Sequence, residues 1–163
     1  EYAIEALWHE IGHLRVKDYV FLGRGSTGQI CMETVNQFTA RHSYDGFLKQ
    51  LGGTAAHKDA VLENGYGYSI WVKNFRTLVN KIGVDEMVIA PKLEKKIAAS
   101  YRHVIKDTTK TLAGESVRNK KLKTLSEMKT ALREERNRVR EALGYLEKDN
   151  QDFRNELDRI WQN

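Results

Sequence analysis

Residues 5–16 read EALWHEIGHLRV, and the rest of the chain is best understood outward from them. At 100° per residue, Ile4, Leu7, Ile11 and Leu14 fall on one stripe, which predicts a helix from Tyr2 to about Lys17 with that stripe turned into a core. Tyr2, Ala6, His9 and His13 fall on the opposite side. Gly12 sits inside this helix, where it costs on the order of 1 kcal/mol relative to Ala. A close approach by a neighbouring segment or a bound peptide backbone is expected to offset that cost.

His-Glu-x-x-His on a helix sets two imidazoles one turn apart on one face, so that His9 and His13 can bind one metal ion together. Glu10 lies about 100° further round, within reach of a water at an open coordination position, as a general base must be. Zn2+ is the ion this pattern implies, with Glu10 moving the proton during hydrolysis of a peptide bond. His pairs also occur on ordinary solvated helices, so the motif needs a third ligand before it defines a site.

Nothing in the bulk composition opposes an enzyme. The 163 residues are 40% hydrophobic and 30% charged, with a mean hydropathy of −0.60. No apolar run approaches the roughly 20 residues of a membrane span. The single Cys31 excludes an internal disulfide, fits a reducing compartment and is expected to be buried packing. The chain opens within a predicted helix, with neither Met nor a signal-type segment, so it is expected to be a fragment or processed product, cytoplasmic or within a virion. Residues 1–90 carry 9 Lys/Arg against 10 Asp/Glu; residues 91–163 carry 18 against 12, and the only proline, Pro91, stands at the change. The basic half reads first as a solvated helical surface, and second as a contact for nucleic acid or an acidic partner; nucleic-acid binding is expected to be weak and non-specific, because Lys120, Lys121 and Lys123 lack interleaved aromatics.

Along the chain, DYVFLGRGSTGQI (18–30) predicts a short strand and a Gly-rich turn; without a following Lys-Ser/Thr, or a helix placed for it, GRGSTG is not a phosphate loop. CMETVNQFTARH predicts a second helix, YDGFLKQLGG a short third stopped by Gly52 and Gly53, and Ile70, Trp71, Phe75, Leu78 and Val79 a fourth ended by Gly83. Helices are expected to resume after Pro91, and one long helix to run from beyond Gly114 to the end. In it Leu125, Leu132, Val139, Leu146, Phe153 and Ile160 recur every seven residues, while the alternate seam mixes Leu143 and Leu157 with Lys129, Arg136 and Asn150. Such a helix suits packing on its own domain or a neighbouring subunit as well as a coiled coil. The fold expected is mainly α: residues 1–110 as one domain, 111–163 as a long basic helix.

LWHEIGHL resembles the metal helix of zincin-like metallopeptidases, in particular those within plasmid anti-restriction proteins and phage polyvalent proteins. FLKQLGG, GYGYSIWVKNFRTLVNKIGVDEM and KLEKKIAASYRHVI are similar to the helices that follow the motif there, so the resemblance covers residues 1–105. It implies a helical zincin-like domain with little strand, N-terminally incomplete, acting on a peptide or protein substrate within a larger polypeptide or assembly. The Gly-x-x-His continuation is absent, since Val16 and Tyr19 occupy those places. The class that remains closes the metal site with a carboxylate on the next helix, which implies Glu33. Glu33 also fits a first-turn acid favoured by the helix dipole, and Asp18 and His42 are the substitutes. Tyr44 and His42 are possible electrophiles. The alternative is a catalytically inactive helical protein, structural or nucleic-acid-associated.

Overall fold

A computed structural model describes residues 1–65 and 67–162, and among these every regular element is a helix. They are α1 (Tyr2–Leu14), α2 (Thr27–Gln50), α3 (Lys58–Asn64), α4 (Ser69–Lys81), α5 (Glu86–Ala99), α6 (Val104–Arg118), α7 (Leu125–Leu143) and α8 (Asn150–Gln162). The mainly α class is as the sequence predicts. No helix of the described residues is long and apolar enough to cross a membrane.

The centre is α2, 24 residues or about 36 Å long. Ser26 starts it, its hydroxyl accepting from the Gln29 N–H at 3.2 Å, just after Gly25 turns the chain at φ +72°. The Gly-rich turn therefore leads straight into a helix, which the sequence reading did not expect. The two helices predicted over residues 31–53 are one, because Ser43–Gly46 continues the ladder. Its end is the predicted one: Gly52 takes φ +82°, and Gly52 and Gly53 donate to the carbonyls of Lys49 and Leu48.

From Ile30 to Arg41 every residue of α2 except Glu33 is buried. Cys31, Val35 and Phe38 belong to one contiguous apolar core with Phe75, Leu78, Ile89, Leu93, Leu112, Val139 and Phe153. Asn36, Gln37 and Arg41 are buried as well, and buried polar groups must find partners. They find them on α1 and on the segment before α4. Burial pushes the thiol of Cys31 up to about 12, so it is inert packing, as expected.

This polar side of α2 overturns the predicted orientation of α1. Leu7 is 47% and Leu14 85% exposed, whereas Glu5 and His9 are buried. Leu7 and Leu14 face out, and Ile4 and Ile11 are half-buried, because the groups that pair with Asn36 and Gln37, the His9 carbonyl and the Glu5 carboxylate, lie on the histidine side. Trp8 secures the packing, stacked on Phe47 at 4.6 Å and donating to Ser43 Oγ at 2.8 Å.

The strand predicted over Asp18–Leu22 does not form. Its backbone is extended but meets only the end of α5, through a single bridge between Asp18 and Ser100; a ladder needs a second strand, and the chain there turns into α6. Pro91 does not start a helix either. α5 begins at Asp85, whose carboxylate accepts from the Met87 N–H at 2.9 Å. Pro91 withholds one N–H from the carbonyl of Met87, but both residues are exposed and water can serve that carbonyl.

The single long C-terminal helix is also corrected. α6 runs through Gly114; a loop follows, and a capping box of Thr124 and Glu127 starts α7. A turn at residues 144–149 then folds α8 back onto α4 and α7. The seven-residue row arises from two short helices packing on the common core: Val139, Leu146, Phe153 and Ile160 are buried, Leu132 is half-buried, and Leu125 is 66% exposed. Asn74 sews the turn down, donating to the carbonyls of Leu146 and Lys148 and accepting from Asn150 at 2.9 Å. The expected domain boundary near residue 110 falls inside α6, and the core is continuous across it.

Candidate metal centre

Three side chains from two helices converge where α1 crosses α2. His9 and His13 stand one turn apart on α1, and Glu33 faces them from α2. His13 Nε2 lies 3.1 Å from His9 Nε2 and 3.1 Å from Glu33 Oε2, and His9 Nε2 lies 3.4 Å from that same oxygen. The ligand atoms of the three residues all fall within 4.8 Å of one another, a group that can hold a metal ion. Three lone-pair atoms this close cannot all be satisfied by imidazole protons, since one N–H points at one neighbour only. A cation at the centre removes the conflict.

Glu33 is ionised. Burial raises its pKa, but hydrogen bonds from His13 and His9, with their positive charge, outweigh that and hold it at about 2. Glu10 borders the cluster from the solvent side, its Oε1 4.0 Å from His9 Nε2 and its side chain 72% exposed. The open approach to the cluster is therefore the one Glu10 flanks.

Both histidines are held from behind, as metal-binding imidazoles generally are. His13 Nδ1 lies 2.8 Å from the hydroxyl of Tyr101, which is fully buried in the turn between α5 and α6. With a cation at the cluster in place of a proton, Nε2 would be the bare nitrogen and Nδ1 would donate to that oxygen. The amide of Asn36 donates to the His9 carbonyl at 3.0 Å and lies 3.5 Å from His9 Nδ1. Deeper in, Gln37 donates to Glu5, whose carboxyl is shifted up by burial. Arg41 donates to the carbonyls of Leu62, Gly65 and Gly67, which fixes the segment leading to Tyr68. Tyr68 caps the site from the other side. It sits at φ 51°, a left-handed conformation that costs a non-glycine residue ~1–2 kcal/mol. Stacked on Trp71 at 4.9 Å, it brings its ring centroid 5.8 Å from that of His9.

The place of Gly12 is now explained. A Cβ there would stand 2.5 Å from Asn36 Oδ1, inside any allowed contact. The close neighbour is thus the amide of α2 that supports His9. Gly12→Ala should push Asn36 off the His9 carbonyl, destabilise the fold by about 1–3 kcal/mol and weaken metal binding about 10–100-fold. Chemical denaturation and metal titration of the variant would check both; a variant with wild-type affinity would show that Asn36 does not support the ligand.

Of the residues singled out from sequence, the structure brings together His9, His13 and Glu33, with Glu10 beside them. It does not bring in the substitutes. Asp18 is exposed and bound to Ser100 and Arg102. His42, nine residues beyond Glu33 and about 13 Å along the helix, pairs with Glu86 at 3.0 Å. Tyr44 is buried and donates to Glu1 at 2.7 Å. Asn36, Tyr68 and Tyr101 were missed. For Tyr101, 88 residues from His13, the sequence holds no local signal; Asn36 had one, since a polar residue three positions past Glu33 shares its helix face.

Compared with protein-family models, curated proteins and solved structures, the chain matches none of them.

Proposed function

We propose that this chain carries a zinc peptidase site of the zincin-like class, with His9, His13 and Glu33 as protein ligands and Glu10 as general base. The observation that carries the reading is the triangle of ligand atoms, with sides of 3.1, 3.1 and 3.4 Å. Tetrahedral zinc with ligands at 2.0–2.1 Å has ligand-to-ligand edges of about 3.3 Å. Two imidazoles and one carboxylate are a donor set that catalytic zinc uses, and one position stays open toward Glu10. Zinc so bound would acidify water and polarise a peptide carbonyl.

The chain's own residues supply the rest. Glu10 accepts a proton from the attacking water and returns it to the leaving amine. Glu33 stays ionised, and Tyr101 holds the ring of His13 in the tautomer that turns Nε2 inward. Tyr68, beside His9 and Glu33, confines one side of the approach.

Elemental analysis of protein purified without chelators tests the site. About one zinc per chain is expected, lost when His9 and His13 are both replaced by Ala. Zinc content unchanged by that double substitution would remove the proposal.

A further inference from the structure

A second feature lies away from the metal cluster, at the junction of α6 and α7. The apolar row that enters the core from Val139 onward continues toward the start of α7 without a cover. There Leu125 is 66% and Met128 47% exposed. With Val117, Leu122 and Leu132 they line an open groove of about 360 Å3. These apolar side chains adjoin one another, as the floor of an interaction site must.

The rim is cationic. Arg118, Lys120 and Lys129 line the groove, Lys121 and Lys123 flank the lining residue Leu122 in sequence, and Glu127 is the one acid between positions 118 and 129. Glu127 is committed to capping, its carboxylate accepting from the N–H groups of Lys123 and Thr124. Arg118 and Lys120 reach Glu115 and Glu135. Lys121, Lys123 and, in the lining itself, Lys129 form no ion pair among the described residues, so part of the positive charge at and beside the rim is uncompensated.

We propose that this groove docks an acidic amphipathic helix of a partner protein, with apolar anchors in the floor and Asp/Glu flanks against the lysines. A helix suits a groove lined from two helices, α6 and α7, and its anchors at i, i+3, i+4 and i+7 match the spacing of Leu125, Met128 and Leu132. Met128 lends the floor adaptability. Nucleic acid fits less well: phosphates would meet the lysines, but a floor of Leu, Met and Val has no ring on which bases stack.

Fluorescence anisotropy on the whole chain tests this, using a synthetic labelled helix with Leu along one face and Glu on its flanks. Micromolar binding is expected, with about a tenfold loss on replacing the peptide's Glu by Lys, and a similar loss for Lys129→Glu. Leu125→Ser with Met128→Ser, both at exposed positions, should weaken binding at least about tenfold with an unchanged thermal melt. A peptide that fails to bind, or that binds this double variant equally well, would overturn the proposal. So would tighter binding of a DNA duplex or of phosphatidylglycerol vesicles than of the peptide.

Discussion

Saturating zinc is expected to raise the unfolding midpoint of this chain by roughly 8–16 °C over the chelated protein. A ligand that binds only the folded state at about a thousand times its Kd contributes ~4 kcal/mol. For a chain of this size each kcal/mol moves Tm by about 2–4 °C. The shift should vanish in the protein with His9→Ala and His13→Ala, and shrink strongly with Glu33→Gln, which keeps the shape but removes the charge. Acid should act in the same direction. Folding lowers the pKa of Glu33 from 4.5 to about 2, so its contribution is complete above pH 4.5 and is lost as pH falls toward 2. Differential scanning calorimetry with and without chelator gives the answer; equal midpoints would mean that the cluster binds no zinc.

Glu10→Gln should lower hydrolysis of a fluorogenic casein by roughly a hundred- to ten-thousandfold, the usual contribution of general acid–base catalysis. Metal affinity should change little, because Glu10 lies outside the ligand triangle and is exposed. The pairing of these two readouts is diagnostic. A ligand substitution lowers activity and zinc together, whereas loss of a base lowers activity alone. If Glu10→Gln cleaved casein at the wild-type rate, another group would have to carry the proton. A wild-type protein that holds zinc but cleaves nothing would favour the inactive helical alternative.

The metal cluster was more legible in the sequence than the fold around it. His9, Glu10 and His13 belong to one helical turn and a half, and their mutual placement follows from helix geometry alone. Glu33 followed from a family resemblance, and its position beside the histidines depends on how α1 crosses α2. Caps were equally readable where they were local: Gly52, Gly53 and Gly83 end their helices as expected. Where a boundary depended on competition between signals the reading failed. Pro91 looked like a start, yet Asp85 capped the helix six residues earlier. Gly114 looked like a break, yet α6 passes through it, with open space where a Cβ would be.

The sequence by itself determined what neighbours along the chain can determine: a helical protein, the His-Glu-x-x-His face, the Gly-terminated helices and an apolar row from Leu125 to Ile160. Only the tertiary structure decided which faces turn inward. Ile4, Leu7, Ile11 and Leu14 form the more hydrophobic side of α1, but α2 offers that helix Asn36 and Gln37, and leaving those groups buried without partners costs more than exposing two leucines. The same holds for the apolar row. Its second half is covered where Asn74 ties down the turn that returns α8, while Leu125 at its start stays open. Periodicity states that a face is apolar; whether that face is buried depends on partners distant in sequence.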